Sequence, residues 1–309
     1  MHIRQVNPNT HPACRSLLQK AVRRGNSTLV TKVFNHLYEI GDIRWLKQRI
    51  GVMVAEECWP LMVEWTLPEK KQEEQVAMVE TLSKLANSVK FKDAAGLGSL
   101  AYALSEGDRS VLTGCEEDDT IRWICGAITD NKKYWEWAIS QCSNTHETRL
   151  VKHAEKAYGK GGWPWDRAFI QATAYLAIMD GLPELYTVPT IEVNFPFWVA
   201  LDKHTPQGKA ALHRVAKETR FSWRQLNWVS FYCESGRVTK KHEPSRWWDK
   251  EVEWRLGKVG LSFDSAEAIW AKAQPIFIEL LKEESTRLEQ HIGDSVPTKL
   301  PESKQLSLF

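Results

Sequence analysis

Apolar residues recur at three- and four-residue spacing along most of the chain, and this periodicity constrains the fold more than any other feature. The stripe between Cys14 and Tyr38 shows it, with Leu17, Leu18, Ala21, Val22, Leu29, Val33 and Leu37. Side chains at that spacing share one face of a helix. Alternating β-branched runs closed by turn residues, which mark strands, are nearly absent. The sequence therefore predicts an all-α, multi-helix globular body.

The same spacing predicts further helices between turn residues, with no internal repeat of fixed period. These spans are 43–65, 69–89, 120–138 with a break near 130, 145–158, 165–179, 207–219, 222–235, 247–256 and 264–292. Three prolines (Pro183, Pro189 and Pro196) favour an irregular crossover between residues 182 and 198. We therefore expect a helical body over residues 1–292, with 182–206 as a candidate internal boundary.

Composition limits the compartments and binding partners that are compatible with this chain. The net charge of the 309 residues is only +2, so binding to a nucleic acid would need a local basic patch. The six cysteines are scattered and form no CxxC pair, as in reduced cytosolic proteins. The sequence shows neither an N-terminal signal peptide nor an apolar run long enough to cross a membrane. We expect a cytoplasmic protein without membrane contact.

The chain contains 15 tryptophans, an unusual number. Buried indoles remove much apolar area from water, so core packing accounts for most of them. Surfaces for stacking or for peptide binding are the alternative. We expect packing for about four in five of these residues.

The composition changes at Gly293. Residues 293–304 contain two prolines, few apolar side chains and no periodicity, which predicts a flexible tether over residues 293–309. The chain then ends in Gln305, Leu306, Ser307, Leu308 and Phe309. A polar tether offers these apolar side chains no core, whereas an extended peptide can insert them into a groove on another protein. Packing back onto the body is the alternative.

These five residues resemble the pentapeptide with which bacterial polymerases, mismatch-repair proteins and clamp-loader subunits bind the β sliding clamp. That motif is written Gln-Leu-Ser/Asp-Leu-Phe, and the chain matches it at every position. The resemblance implies that Gln305 occupies a polar subsite, with Ser307 at the variable position. It also implies that Leu306, Leu308 and Phe309 enter a hydrophobic cleft.

Two parts of the body resemble the helical, collar-like region that follows the ATPase module in the RarA (MgsA) family of clamp-loader relatives. One part covers residues 15–25 and 44–58, where Ala55-Glu56-Glu57 stands in place of the family's Ala-Ser-Glu-Asp. The other is 168–177, which is similar to the family's Ala-Ile-x-Gln-Ala-x-x-Tyr-Leu-Ala. This resemblance implies oligomerisation and contact with replication partners, including a clamp-loader-like ATPase. Ordinary amphipathic helices that look alike are the alternative.

Sequence motifs for chemistry are sparse. GxxxxGK[ST], the phosphate-binding loop of many nucleotide hydrolases, does not occur. The histidines lack metal-ligand spacing, and Cys125 and Cys142 lie in apolar helices where thiols are inert. We expect no metal and no cofactor, and the pattern favours a binding protein over an enzyme.

The densest polar cluster is at residues 201–209. An active site here would use Asp202 to orient His204 while Lys203 or Lys209 holds a phosphate. Alternatively, Thr205 and Pro206 simply begin a helix, with the threonine as its cap. Both interpretations remain open at this stage.

A second stretch, residues 237–250, alternates basic and aromatic side chains. Cations beside exposed indoles suit single-stranded or branched DNA. The alternative is a solvated basic loop that leads into a helix with buried tryptophans. The candidate DNA-binding residues are Arg237, Lys240, Lys241, Arg246, Trp247 and Lys250.

Three hypotheses of function follow from the sequence. The first is a clamp-binding accessory protein of DNA replication or repair, associated with the nucleoid and encoded by a phage or plasmid that uses the host clamp. The second is a DNA-processing enzyme that its tail recruits to the clamp, with a site near residues 202–209. The third is a structural subunit of a clamp-loader-like assembly.

Overall fold

The computed structural model describes residues 11–66, 71–114, 116–188, 205–236 and 245–293, and this part of the chain is helical without strands. The all-α prediction is therefore confirmed. Two short 3-10 helices, Trp59–Val63 and Arg109–Val111, and a π-helical turn, Phe231–Gly236, accompany the α-helices. The α-helices are α1 (His11–Arg24), α2 (Ser27–Glu39), α3 (Ile43–Glu57), α4 (Lys71–Asn87), α5 (Asp93–Ser105), α6 (Glu116–Thr129), α7 (Asn131–Gln141), α8 (Thr145–Gly159), α9 (Pro164–Met179), α10 (Pro206–Thr219), α11 (Trp223–Ser230), α12 (Arg246–Gly257) and α13 (Phe263–Gly293).

One predicted helix, 43–65, is divided in the structure. The α-helix ends at Glu57, and residues Trp59–Val63 continue as a 3-10 helix. Pro60 explains the change, because its ring prevents a regular helix from continuing through it. The predicted break near residue 130 is confirmed, since Asp130 separates α6 from α7 and accepts a hydrogen bond from the Lys133 amide.

Helix α5 was not predicted, although it lies at the centre of the fold. Residues 94–101 are all buried, so the helix has no polar face over that stretch. A helix buried all round shows no 3.6-residue periodicity, and two internal glycines further weaken the helical signal. α5 packs most extensively against α9, α12 and α6.

The two glycines of α5 allow neighbouring backbones to approach closely. A Cβ atom at Gly96 would lie 2.3 Å from the backbone carbonyl carbon and oxygen of Trp247, at the start of α12. A Cβ atom at Gly98 would lie 2.8 Å from the backbone of Ala168 in α9. No larger side chain fits at either position unless a helix moves.

Polar capping ties the first turn of α5 to that of α12. The Asp93 carboxylate accepts hydrogen bonds from Ser245 Oγ at 2.7 Å and from the Trp247 amide at 3.1 Å. Ser245 Oγ in turn accepts from the Trp248 amide at 3.0 Å. Amide groups that the helix leaves without an internal partner are thus satisfied, and the partner of the Trp247 amide is a residue 154 positions away.

The helices from α10 onward pack on those before residue 188, whereas most of the predicted crossover, residues 189–198, lies outside the described residues. α12 lies against α5, while α13 packs along α10 and α11 and also contacts α2. Most tryptophans in the described residues are buried or half-buried, as expected for core packing. The exposed ones are Trp123, Trp163 and Trp223.

We predict that Gly96→Ala destabilises the protein by about 3 kcal/mol or more, because overpacking here meets backbone atoms that cannot rotate away. Denaturant unfolding followed by circular dichroism measures the change. Gly126→Ala in α6 is the matched control, because nothing lies within 4 Å of its added Cβ. Alanine's higher helix propensity should stabilise that variant by up to about 1 kcal/mol. Equal effects of the two substitutions would contradict the proposed close approach.

Candidate functional site

The end of α13 is firmly packed. Leu288 and Ile292 are buried, and the His291 ring lies edge-on to His36 of α2, with 4.9 Å between ring centroids. The clamp-like residues Gln305, Leu306, Ser307, Leu308 and Phe309, and the tether before them, lie outside the described residues. Their predicted role remains a prediction.

The cluster at residues 201–209 is only partly described. Thr205 Oγ1 accepts a hydrogen bond from the Gly208 amide at 3.0 Å, and Pro206 is the first residue of α10. The helix-start interpretation is thereby confirmed for these two residues. Lys209 is exposed in the first turn of α10, whereas Asp202 and His204 lie outside the described residues. The catalytic role proposed for Asp202, His204 and Lys209 therefore remains untested.

The basic stretch 237–250 is described from residue 245 onward, which leaves out Arg237, Lys240 and Lys241. Arg246 pairs with Glu117 at 2.8 Å, and Lys250 donates to Thr113 Oγ1 at 3.0 Å. Trp247 is only 4% exposed. That burial argues against base stacking by Trp247, because its ring is packed inside the body.

A network of buried charges joins α1, α3 and the start of α5, and sequence analysis did not identify it. Glu57 is its centre: Arg23 Nε lies 2.7 Å from one carboxylate oxygen and Lys92 Nζ lies 3.0 Å from the other. The Glu57 and Lys92 side chains are 2% and 1% exposed. Buried charges of this kind persist only when they are paired and hydrogen-bonded.

The network extends from Glu56 into α9. One carboxylate oxygen of Glu56 lies 3.0 Å from Arg23 Nη2, and the other lies 3.0 Å from Arg49 Nη2. Arg49 also contacts Asp166 of α9 at 2.8 Å. Asp166 accepts a hydrogen bond from the Trp163 amide at 3.2 Å, so it stabilises the start of α9 as well.

A second charged group adjoins the first through Trp248. Lys92 Nζ lies 4.5 Å from the centroid of the Trp248 ring, a favourable cation–π distance. Beyond it, Glu251 accepts from the Tyr232 hydroxyl at 2.7 Å and from Arg255 Nε at 2.9 Å. The Arg255 guanidinium lies 4.6–4.8 Å from the ring centroids of three tryptophans, Trp165, Trp228 and Trp254.

Burial and pairing shift the pKa values of these groups in different directions. Burial opposes the charge of Glu57, but Arg23 and Lys92 outweigh it and lower the Glu57 pKa to about 2. Burial also lowers the pKa of Lys92, which Glu57 opposes. We take this pair as charged, because Lys92 Nζ contacts both the carboxylate and the face of an indole. The pKa of Glu251 is raised by burial.

This network is enclosed, so its chemistry is structural. Each carboxylate accepts from cations or hydroxyls of other helices, which fixes how those helices are oriented.

A separate cavity of about 210 Å³ lies between the π-helical turn, α12 and α13. Its lining is mainly apolar and aromatic, with Phe263 and Trp270, and it also includes the side chain of Glu267.

Other classes of site find no support among the described residues. No group of three or more His, Cys, Asp or Glu side chains there could hold a metal ion. Burial raises the pKa of Cys14 and of Cys58 to about 12, which makes both thiols poor nucleophiles. Burial also raises the pKa of Cys125 and Cys142. No helix in this part of the chain is long and apolar enough to cross a membrane.

In comparisons with known proteins, no family model, no curated protein and no solved structure matches this chain.

We predict that Glu57→Gln lowers the free energy of unfolding at pH 7 by about 3–5 kcal/mol, because it leaves two buried cations without their shared counter-charge. Glu64→Gln is the matched control. Glu64 pairs with Lys84, and the two side chains are 46% and 52% exposed, so we expect a loss below about 1 kcal/mol. A loss no larger than the control's would show that the network does not stabilise the fold.

The same variant should change the pH dependence of stability. The folded-state pKa of Glu57, about 2, lies below its ordinary value of 4.5. The contribution of ionised Glu57 to the free energy of unfolding is therefore fully present above pH 4.5 and is lost as the pH falls through about 2. We expect the unfolding free energy of the unsubstituted protein to fall more steeply below pH 4.5 than that of Glu57→Gln. Parallel curves would contradict the lowered pKa.

Proposed function

We propose that this chain is a β-sliding-clamp-binding accessory protein of bacterial DNA replication or repair. The observation that carries the proposal is the match of residues 305–309, Gln-Leu-Ser-Leu-Phe, to the clamp-binding pentapeptide at all five positions. The residue types suit the task. Three apolar side chains can fill a hydrophobic cleft, while the Gln305 amide can both donate and accept hydrogen bonds at its rim.

The described part of the chain supports an attachment at this end. Leu288 and Ile292 hold the last turns of α13 in the body. Eleven residues separate Gly293 from Gln305. A chain of that length spans at most about 40 Å. The body would thus remain beside a clamp to which the pentapeptide is bound.

We further propose that the body acts as an adaptor or modulator of the clamp or of its loader. It has the all-α character of the collar-like region that residues 15–25, 44–58 and 168–177 resemble, and the chain lacks the phosphate-binding loop of an ATPase. A clamp-loader-like ATPase is therefore a second candidate partner. A chain encoded by a phage or plasmid could use the same attachment to occupy the host clamp and hinder its polymerase.

Binding to purified β clamp, measured by surface plasmon resonance, tests the proposal. We expect Phe309→Ala to weaken binding about 30-fold or more, because an aromatic anchor in a pocket contributes about 2 kcal/mol or more. Deletion of residues 305–309 should abolish binding. Unchanged affinity after the deletion would refute the proposal.

Two further variants separate recognition of the motif from general apolar adhesion. Leu300→Ala removes an apolar side chain five residues before the motif and should leave affinity unchanged. Ser307→Asp keeps the chain within the motif and should also bind. Equal weakening by Leu300→Ala and Phe309→Ala would show that the contact is not specific to the pentapeptide.

A further inference from the structure

Helices α10 and α11 carry a basic surface that does not coincide with the basic stretch 237–250. It is defined by six exposed residues: Lys209, His213, Lys217, Arg220, Trp223 and Arg224. Residues 205–224 contain five basic side chains and one acidic side chain, which gives a net charge of +4. The whole chain carries only +2, so the remaining residues together are slightly negative. Positive charge is therefore concentrated at this surface.

The cations of this surface are available to a ligand. Lys209, His213 and Lys217 follow one another at four-residue spacing, so they lie along one face of α10. Arg214 is paired with Glu218, the only acidic side chain in residues 205–224. Within the described residues, Lys209, Lys217, Arg220 and Arg224 form no ion pair. Among the described residues, a ligand phosphate would therefore displace no counter-charge from these four side chains.

Arg220 occupies a position where a different residue would be expected. It ends α10 with φ +60°, the only non-glycine residue with positive φ in the described part of the chain. Helices usually place glycine or asparagine there, since other residues incur a cost of about 1 kcal/mol. Arg220 is exposed and lies along the chain between Lys217 of α10 and Arg224 of α11. Backbone strain retained at a charged surface position is typical of functional sites.

An aromatic platform lies beside these cations. The Trp223 ring stacks on the His213 ring, with 5.8 Å between centroids and an interplanar angle of 19°. Trp223 is 38% exposed. Indole rings held in place next to cations are the pattern on which unpaired bases stack while the phosphates are neutralised.

We propose that the α10–α11 surface binds single-stranded nucleic acid. The lysine and arginine side chains would contact phosphates, and a base would stack on Trp223. A duplex offers the same phosphates, but its bases already stack on one another, so it would not use the indole. The proposal does not depend on the clamp, because it rests on other residues and other chemistry.

Fluorescence anisotropy with a labelled oligothymidylate of about 20 nucleotides tests the proposal, since single-strand sites span roughly 4–16 nucleotides. Four unpaired cations predict that log K falls with log salt with a slope of about −3. Lys209→Gln combined with Lys217→Gln should reduce that slope to about −1.4. Lys152→Gln combined with Lys156→Gln, which changes two exposed lysines of α8, should leave it unchanged. No binding at low salt, or equal effects of the two pairs, would overturn the proposal.

Two substitutions test the platform and the turn separately. Trp223→Ala should weaken binding about 10-fold or more, whereas Trp163→Ala, at an indole that is 77% exposed, should not. Arg220→Gly removes the charge but relieves the positive φ, so it should weaken binding while the protein unfolds at an equal or higher denaturant concentration. Loss of binding together with loss of stability in Arg220→Gly would assign the arginine a structural role and contradict the proposal.

Competing ligands complete the test. Oligouridylate in place of oligothymidylate distinguishes RNA from DNA as the source of the strand, and binding to either supports the proposal. Tighter binding to a duplex of equal length, or to vesicles rich in phosphatidylserine, would overturn it. Either result would show that the surface recognises negative charge without reading unpaired bases.

Discussion

The architecture depends on one contact between two backbones, where α5 meets the start of α12 at Gly96. A helix can be buried on all sides only if its neighbours find room, and small residues supply that room here. The Asp93 carboxylate, three residues earlier, caps α12 at the same junction. Close approach and capping therefore act together. Gly96 sets the distance between the two helices, and the Asp93 carboxylate fixes the first turn of α12 as the part that lies beside Gly96. This junction between α5 and α12 helps to position the helices from α10 onward on those from α1 to α9.

The buried charges serve orientation more than catalysis. Hydrophobic contacts between helices tolerate small rotations, whereas a carboxylate that must meet Arg23 on one side and Lys92 on the other tolerates few. Glu57 joins α3 to both neighbours, and Arg49 carries the connection to α9 through Asp166. Buried ion pairs often contribute little net stability relative to apolar packing, but losing one partner is costly.

The sequence predicted the helical class and most helix positions, because amphipathic helices reveal themselves by periodicity. It did not predict α5, whose burial on every side removes the period. The division at Pro60 was missed because the apolar stripe continues across it. The charge network was missed because Arg23, Glu57 and Lys92 are far apart along the chain and only packing unites them. The basic surface of α10 and α11 cannot be predicted from local sequence for a related reason, since His213 and Trp223 meet only when the two helices pack together. The pentapeptide, by contrast, was accessible to sequence alone, because five consecutive residues carry the whole pattern.

Helix α13 has a mechanical consequence. Its 31 residues extend roughly 45 Å, its His291 ring lies against His36 of α2, and Leu288 and Ile292 in its final turns are buried. Tension applied beyond Gly293 would therefore act first on these side chains, at the edge of the molecule, before it reached the helices around α5. The last turn would fray before the interior opened, and it could re-form when the load was released.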